Sequence, residues 1–175
     1  GTNPLTFNVL TGVVLNGFTG AVTTLEAELI AQVGGYIPGS YDPNTDTFNI
    51  TGTIYADTMV LGAGGGLVWG DNSADTFTGG TGADDINGGN GNDVIALGIN
   101  TAGSLQFALA GDGDDVISAG AGLTYITGDA GDDTIDVNAA GVNTGAYTIL
   151  YGGTGNDTIT GSDGVDNIDG GGDND

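Results

Sequence analysis

Residues 70–96 read GDNSADTFT, GGTGADDIN and GGNGNDVIA, three nine-residue units joined with nothing between them. The sixth place in each is Asp (Asp75, Asp84, Asp93) and the eighth is apolar (Phe77, Ile86, Ile95). The glycine-rich first half cannot hold a helix, and the short second half has strand character. A period this strict prescribes one turn and one strand per unit, stacked on neighbouring units as a parallel β-solenoid.

The nine-residue register runs from Gly52 to Asp175. Units begin at Gly52, Leu61, Gly70, Gly79, Gly88, Leu97, Ala110, Ala119, Gly128, Val137, Gly152, Gly161 and Gly170. Two are stretched, 97–109 and 137–151, and both still end in strand-like runs. The eighth place stays apolar in the regular units, as Met59, Val68, Phe77, Ile86, Ile95, Ile117, Ile126, Ile135, Ile159 and Ile168. The chain thus reads as thirteen half-turns with two bulged loops.

Half-turns of a roll alternate sides, so every second unit stacks on the same edge. On the odd edge the sixth place is Asp57, Asp75, Asp93, Asp115, Asp133, Asp157 and Asp175. On the even edge it is Gly66, Asp84, Thr124 and Asp166, and both long loops fall on this side. The sequence therefore predicts a ladder of carboxylates along one edge and an irregular, metal-poor opposite edge.

Charge says what such a ladder needs. The chain carries 23 acidic residues and no Lys, Arg or His, a formal charge of −23. Glu26 and Glu28 stand alone before Asp42; the later acids crowd into glycine-rich turns, where they oppose folding unless cations neutralise them. Asp, Asn and backbone carbonyls form an all-oxygen donor set, which selects a hard cation, Ca²⁺ before Mg²⁺. The missing residues exclude Ser-His-Asp and Cys-His catalysis, Schiff-base chemistry and imidazole-bound or thiolate-bound zinc. They also remove phosphate clamps and contacts to nucleic acid, and an anionic membrane surface should repel the chain. No stretch is apolar enough to span a bilayer, and no signal peptide with a charged start opens the sequence. Paired carboxylates can hydrolyse glycosides, but metal ligation accounts for these pairs, so no catalytic residue is assigned. Trp69, Tyr125, Tyr147 and Tyr151 suggest a carbohydrate platform, although packing is the commoner role of strand aromatics.

The first 51 residues follow another rule. Leu5, Phe7 and Val9, then Val13 and Leu15, alternate with other residues, as short strands or a hairpin would. Thr23 and Glu26 form a capping-box signature, and Leu25, Leu29 and Val33 have helical spacing, which predicts a helix over 24–33 stopped by Gly34 and Gly35. A loop with Pro38 and Pro43 leads on. The expected division is an N-terminal cap and assembly segment, 1–51, and a repeat domain, 52–175.

The nonapeptides resemble those of the RTX (repeats-in-toxin), or haemolysin-type calcium-binding, family. The resemblance spans about residues 52–175 and implies an all-β fold, a parallel β-roll or right-handed β-solenoid behind the cap. It implies several Ca²⁺ ions, each between stacked turns and held by the sixth-place Asp of both. The implied pairs are Asp57 with Asp75, Asp75 with Asp93, Asp93 with Asp115, Asp115 with Asp133, Asp133 with Asp157, and Asp157 with Asp175. Carbonyls of the glycine-rich places, Gly89, Gly91, Gly111, Gly113, Gly131, Gly153 and Gly155, complete the shells, and Asp84 and Asp166 are the even-edge candidates. Asp85, Asp112, Asp114 and Asp132 face solvent or add outer charge. Departures stand at Ala110, Asp129 and Asp173 and in GTIYAD and GDNSAD, which lack the pattern's glycines.

The resemblance further implies export from a bacterium as an unfolded chain through a type I channel, then calcium-driven folding outside. Because the sequence stops inside a repeat at GGGDND, an open rung is expected there. The apolar first segment of a second copy could cover it, and head-to-tail contacts would build a filament, surface layer or matrix. The alternative expectation is a folding and secretion module of a larger secreted enzyme, toxin or adhesin.

Overall fold

The computed structural model describes residues 5–8, 39–42, 47–52, 54–61, 66–100, 103–137 and 147–175. The expected helix over 24–33 lies outside these residues. Every element described is a strand.

The strands form two sheets. One has seven strands: β1 (Leu5–Asn8), β4 (Asp57–Val60), β6 (Thr76–Thr78), β8 (Val94–Leu97), β10 (Val116–Ala119), β12 (Thr134–Asp136) and β14 (Thr158–Thr160). The other has eight: β15 (Val165–Gly172), β13 (Tyr147–Thr154), β11 (Leu123–Ala130), β9 (Leu105–Asp112), β7 (Asp85–Asn90), β5 (Gly66–Trp69), β3 (Thr47–Thr51) and β2 (Gly39–Asp42). From β4 onwards, strands of the odd units build the first sheet and strands of the even units the second. All described pairings are parallel except the β2–β3 hairpin. This is the all-strand parallel solenoid expected of a β-roll.

The 18-residue double period sets the register. Phe77 lies opposite Met59 on one side and Ile95 on the other, and Ile117 lies opposite Ile95 and Ile135. The eighth-place side chains thus stack as one buried column in each sheet, joined by Leu61, Leu97, Ala110, Ala119 and Val137 from first places. Burying an aliphatic or aromatic side chain contributes roughly 1.5–3 kcal/mol, and here the contribution repeats once per half-turn. The column weakens at the last rungs. Ile159 is only partly buried, and Ile168, expected to point inward into a core, is 47% exposed.

Two features lay outside the register. β3 forms a rung before the first unit, with Asn49 opposite Leu67, and β1 lies parallel to β4. The even-unit strands β7, β9, β11, β13 and β15 also run past their unit boundaries into the glycine-rich start of the next odd unit. There the ladder continues through Gly89 opposite Gly111 and Asp129 opposite Gly153. Odd-unit strands stop after three or four residues. The odd edge is therefore stacked regularly into its turns.

Candidate metal-binding edge

From Gly70 onward each odd turn repeats one backbone shape. Its second and fourth places have positive φ: Asp71 and Ser73, Gly89 and Gly91, Gly111 and Gly113, Asp129 and Gly131, Gly153 and Gly155, Gly171 and Asp173. Glycine is the natural residue there. Asp71, Ser73, Asp129 and Asp173 take the same conformation at φ 84°, 84°, 74° and 77°. The departures at these places thus change the side chain and leave the turn intact. On the even edge the shape is lost. Gly80 and Gly82 sit in GGTGADDIN, a close match to the nonapeptide, yet neither has positive φ; off the odd edge, among the described residues, only Gly103 and Gly122 do.

These turns carry the sixth-place aspartates into one column. The N–H of Asp57 donates to Oδ1 of Asp75 at 2.7 Å, that of Asp75 to Asp93 at 2.7 Å, and that of Asp93 to Asp115 at 2.6 Å. Asp115 donates to Asp133 at 2.8 Å, Asp133 to Asp157 at 2.9 Å, and Asp157 to Asp175 at 3.1 Å. All seven residues of the predicted row are joined. Except Asp175, they are buried.

The second oxygen of these carboxylates defines the chemistry. Oδ2 of Asp75, Asp93, Asp115, Asp133 and Asp157 is buried without a hydrogen-bond partner. A buried carboxylate oxygen without a partner is costly. Burial pushes the carboxyls of Asp75 and Asp115 up to about 7 and those of Asp93 and Asp133 to about 6, against the lowering effect of the amide that donates to each. Neighbouring carboxylates add to the rise at Asp75, Asp115 and Asp133. Adjacent rungs stand about 4.8 Å apart, where two full charges repel by roughly 3 kcal/mol at an effective dielectric of about 20. Protons or cations must relieve this column.

A hard cation fits the donor set. No three acidic side chains converge on one point among the described residues. Carboxylates therefore meet an ion at most in pairs, and carbonyl oxygens must fill the rest of a six- to eight-oxygen shell.

The first place of each unit answers to the same carboxylate. A Cβ built on Gly70, Gly88, Gly128 or Gly152 would sit 2.1 to 2.3 Å from Oδ2 of Asp75, Asp93, Asp133 or Asp157. Glycine there makes room for the acid five residues on. Where the sixth place is not Asp, the first can be apolar, as in Leu61 with Gly66 and Ala119 with Thr124. Ala110 with Asp115 is the exception. The covariation was available in the sequence and went unread.

A second column runs outside the first. Oδ1 of Asn92 accepts the Asp114 amide at 3.2 Å, Asp114 accepts that of Asp132 at 3.0 Å, and Asp132 accepts that of Asn156 at 2.8 Å. Here each side chain serves the rung after it, whereas each sixth-place carboxylate serves the rung before. Asp114 and Asp132 are exposed, as expected, but they also tie turns together.

The even edge places its candidates apart. The sixth-place column runs Asp84, Gln106, Thr124, Thr148, Asp166. Three rungs separate the two acids, so they share no site. Burial raises the Asp84 carboxyl to about 6 although the amides of Gly80 and Gly66 lean on it. At Asp166 the hydroxyls of Thr148 and Ser162 outweigh burial and lower it. Of the aromatics singled out, Trp69 is half-buried on β5, while Tyr125, Tyr147 and Tyr151 line the outer face of the eight-stranded sheet. Tyr125 packs 5.6 Å from Phe107 and 5.7 Å from Tyr151, all tilted.

The family model for the RTX calcium-binding nonapeptide repeat matches residues 69–99, 109–139 and 148–175, more than half of the chain. The chain belongs to the RTX calcium-binding nonapeptide repeat family. Neither a curated protein nor a solved structure matches it. RTX repeats bind calcium, are typically non-catalytic and typically belong to proteins secreted by bacteria. In this RTX chain the matched segments take in six of the seven odd-edge aspartates, Asp75 to Asp175.

Proposed function

We propose that this RTX chain is a non-catalytic structural module that folds when calcium fills its odd edge and works outside the cell. The buried, partnerless Oδ2 atoms of five stacked aspartates carry the reading. An ion between successive rungs would be held by the pairs Asp75–Asp93, Asp93–Asp115, Asp115–Asp133, Asp133–Asp157 and Asp157–Asp175. Asp57 with Asp75 is a further candidate, since its amide–carboxylate bond matches the others. Carbonyls of the turns, those at Gly89, Gly91, Gly111, Gly113, Gly131, Gly153 and Gly155 among them, would complete each shell. Bound calcium supplies the positive charge that the sequence lacks. With it absent, glycine-rich turns retain conformational freedom and the aligned acids repel.

Calcium titration from chelator excess to millimolar, followed by far-UV circular dichroism, calorimetry and light scattering, tests this. Strand signal and compaction should appear together with saturable binding. A roll already fully formed in chelator, or no compaction at any calcium level, would sink the proposal. Scattering separates the two uses expected from sequence. Ordered polymers growing with calcium make the roll a building unit, and a compact monomer leaves a folding module.

A further inference from the structure

The eight-stranded sheet turns one surface outward that the calcium chemistry does not use. Over the first five residues of β9, β11 and β13 (105–109, 123–127 and 147–151) nine side chains point out, and eight are aliphatic or aromatic. None is charged, in a chain with 23 acids. Leu105, Leu123, Tyr147 and Tyr151 are exposed, Tyr147 by 47%. In the register Leu123 follows Leu105, and Tyr125 lies between Phe107 and Ile149, so the apolar rows are continuous across the strands. Carboxylates stand along part of its border, while Val165, 66% exposed on β15, extends the Tyr147 row. Asp85 continues the Phe107 row on β7, Asp169 continues the Tyr151 row on β15, and Asp129 lies two residues beyond Thr127, whose hydroxyl donates to it at 2.8 Å. An apolar centre within a charged rim is the anatomy of a recognition surface.

We propose that this face docks a basic, apolar-studded segment of another protein: alternating or amphipathic chain with Leu- or Phe-like anchors flanked by Lys or Arg. Charge and area both select that occupant. A second copy offers no Lys, Arg or His to the acidic rim and would set acid against acid. Three strands about 4.8 Å apart and five residues of about 3.4 Å each outline roughly 250 Å². That is well short of the roughly 800 Å² per partner of a standard protein interface, and it suits a short segment. Tyrosine rings at the island's border also receive cations on their faces. The rim steers the encounter, and the apolar rows discriminate.

The probe is a synthetic alternating Leu-Lys peptide, compared with an alternating Ser-Lys peptide of equal length and charge. Both are titrated onto the full chain in millimolar calcium at physiological salt, with circular dichroism confirming the folded roll in every sample. The Leu-Lys peptide should bind about tenfold more tightly than Ser-Lys, the equivalent of about 1.4 kcal/mol. Leu123→Ser with Tyr147→Ser should abolish that preference. Asp85→Asn with Asp169→Asn, which leaves the apolar rows alone, should weaken Leu-Lys binding several-fold. Equal affinity for the two peptides, or no binding of Leu-Lys by a roll that folds with calcium, overturns the proposal. Self-association in sedimentation that Leu123→Ser with Tyr147→Ser removes also overturns it, in favour of a second copy.

Discussion

The amide of Asp93 donates to Oδ1 of Asp115 at 2.6 Å across 22 residues, whereas Asp75 reaches Asp93 across 18. The four extra residues fall in the half-turn 97–109 on the other edge, and the odd column passes them without a change of geometry. The same holds at the longer insertion, where Asp133 reaches Asp157 across 24 residues at 2.9 Å. Constancy on one edge against variation on the other supports the proposal that the odd edge holds the calcium.

Each carboxylate in the column has two duties, and two substitutions at Asp115 separate them. Asp115→Asn keeps an oxygen for the Asp93 amide and loses the charge that a cation uses. Asp115→Ala loses both. A hydrogen bond to a charged group contributes about 1.5–3 kcal/mol, so the alanine variant should fold at a calcium midpoint about tenfold or more above wild type, with asparagine between. Circular dichroism during calcium titration reads the order. An alanine variant with an unchanged midpoint would remove Asp115 from the ion's shell.

Acidity gives a prediction of opposite sign with and without metal. Burial first, with neighbouring charge, raises Asp75 and Asp115 from 3.8 to about 7, and burial raises Asp93 and Asp133 to about 6. Between about pH 4 and 7 the metal-free folded roll then holds more protons than the unfolded chain, and its stability falls as pH rises through that window. In chelator, the residual strand signal in far-UV circular dichroism should be larger at pH 5 than at pH 8. In limiting calcium the order should reverse, because the ion competes with those protons and its uptake releases them. A chelated roll that gains stability towards pH 8 would contradict the raised carboxyls.

The odd turns set a steric test. A Cβ on Gly131, at φ 135°, would stand 2.1 Å from the Gly113 carbonyl oxygen and 2.5 Å from its carbon. Backbone of the rung below cannot yield as a side chain would, so Gly131→Ala should destabilise the calcium-loaded roll by about 1–3 kcal/mol. Gly103→Ala meets nothing within 4 Å, although its φ of 72° is also left-handed. It should cost less than half as much. Thermal melts in saturating calcium compare the two, and equal losses would mean that φ alone, and not stacking, decides.

Much of this architecture was legible because one period fixes several things together. An 18-residue spacing put Met59, Phe77 and Ile95 in one buried column and Asp57, Asp75 and Asp93 in another, and the pairings follow it. What escaped reading depends on neighbours in space. Gly80 and Gly82 carry the motif's glycines but stack near the loop 97–109, where a Cβ on Gly98 would crowd the Gly80 carbonyl. Asp71 and Ser73 lack the glycines but stack on Gly89 and Gly91, and they adopt the shared shape. Turn conformation is set by the rung above and below as much as by the residues in the turn. β3 was missed for another reason: TFNIT alternates as a strand should, but it precedes the first unit that the register recognises.

The asymmetry of the edges can be tested directly by a one-residue insertion on each. A glycine added between Ala121 and Gly122 lengthens an even turn, where the chain already accommodates much larger insertions. Loop closure grows only slowly with length, so its calcium midpoint should stay within roughly twofold of wild type. A glycine added between Gly131 and Asp132 shifts the odd column at its centre. Asp115 would lose its bond to Asp133, Asp133 its bond to Asp157, and both adjoining interrung spaces their facing carboxylates. That variant should bind two fewer ions by calorimetry, with a calcium midpoint raised about tenfold or more, since each lost bond to a carboxylate contributes about 1.5–3 kcal/mol. Equal tolerance of the two insertions would mean that the regular stacking of the odd turns is incidental to metal binding. A greater loss from the even insertion would move the functional edge to the other side of the roll.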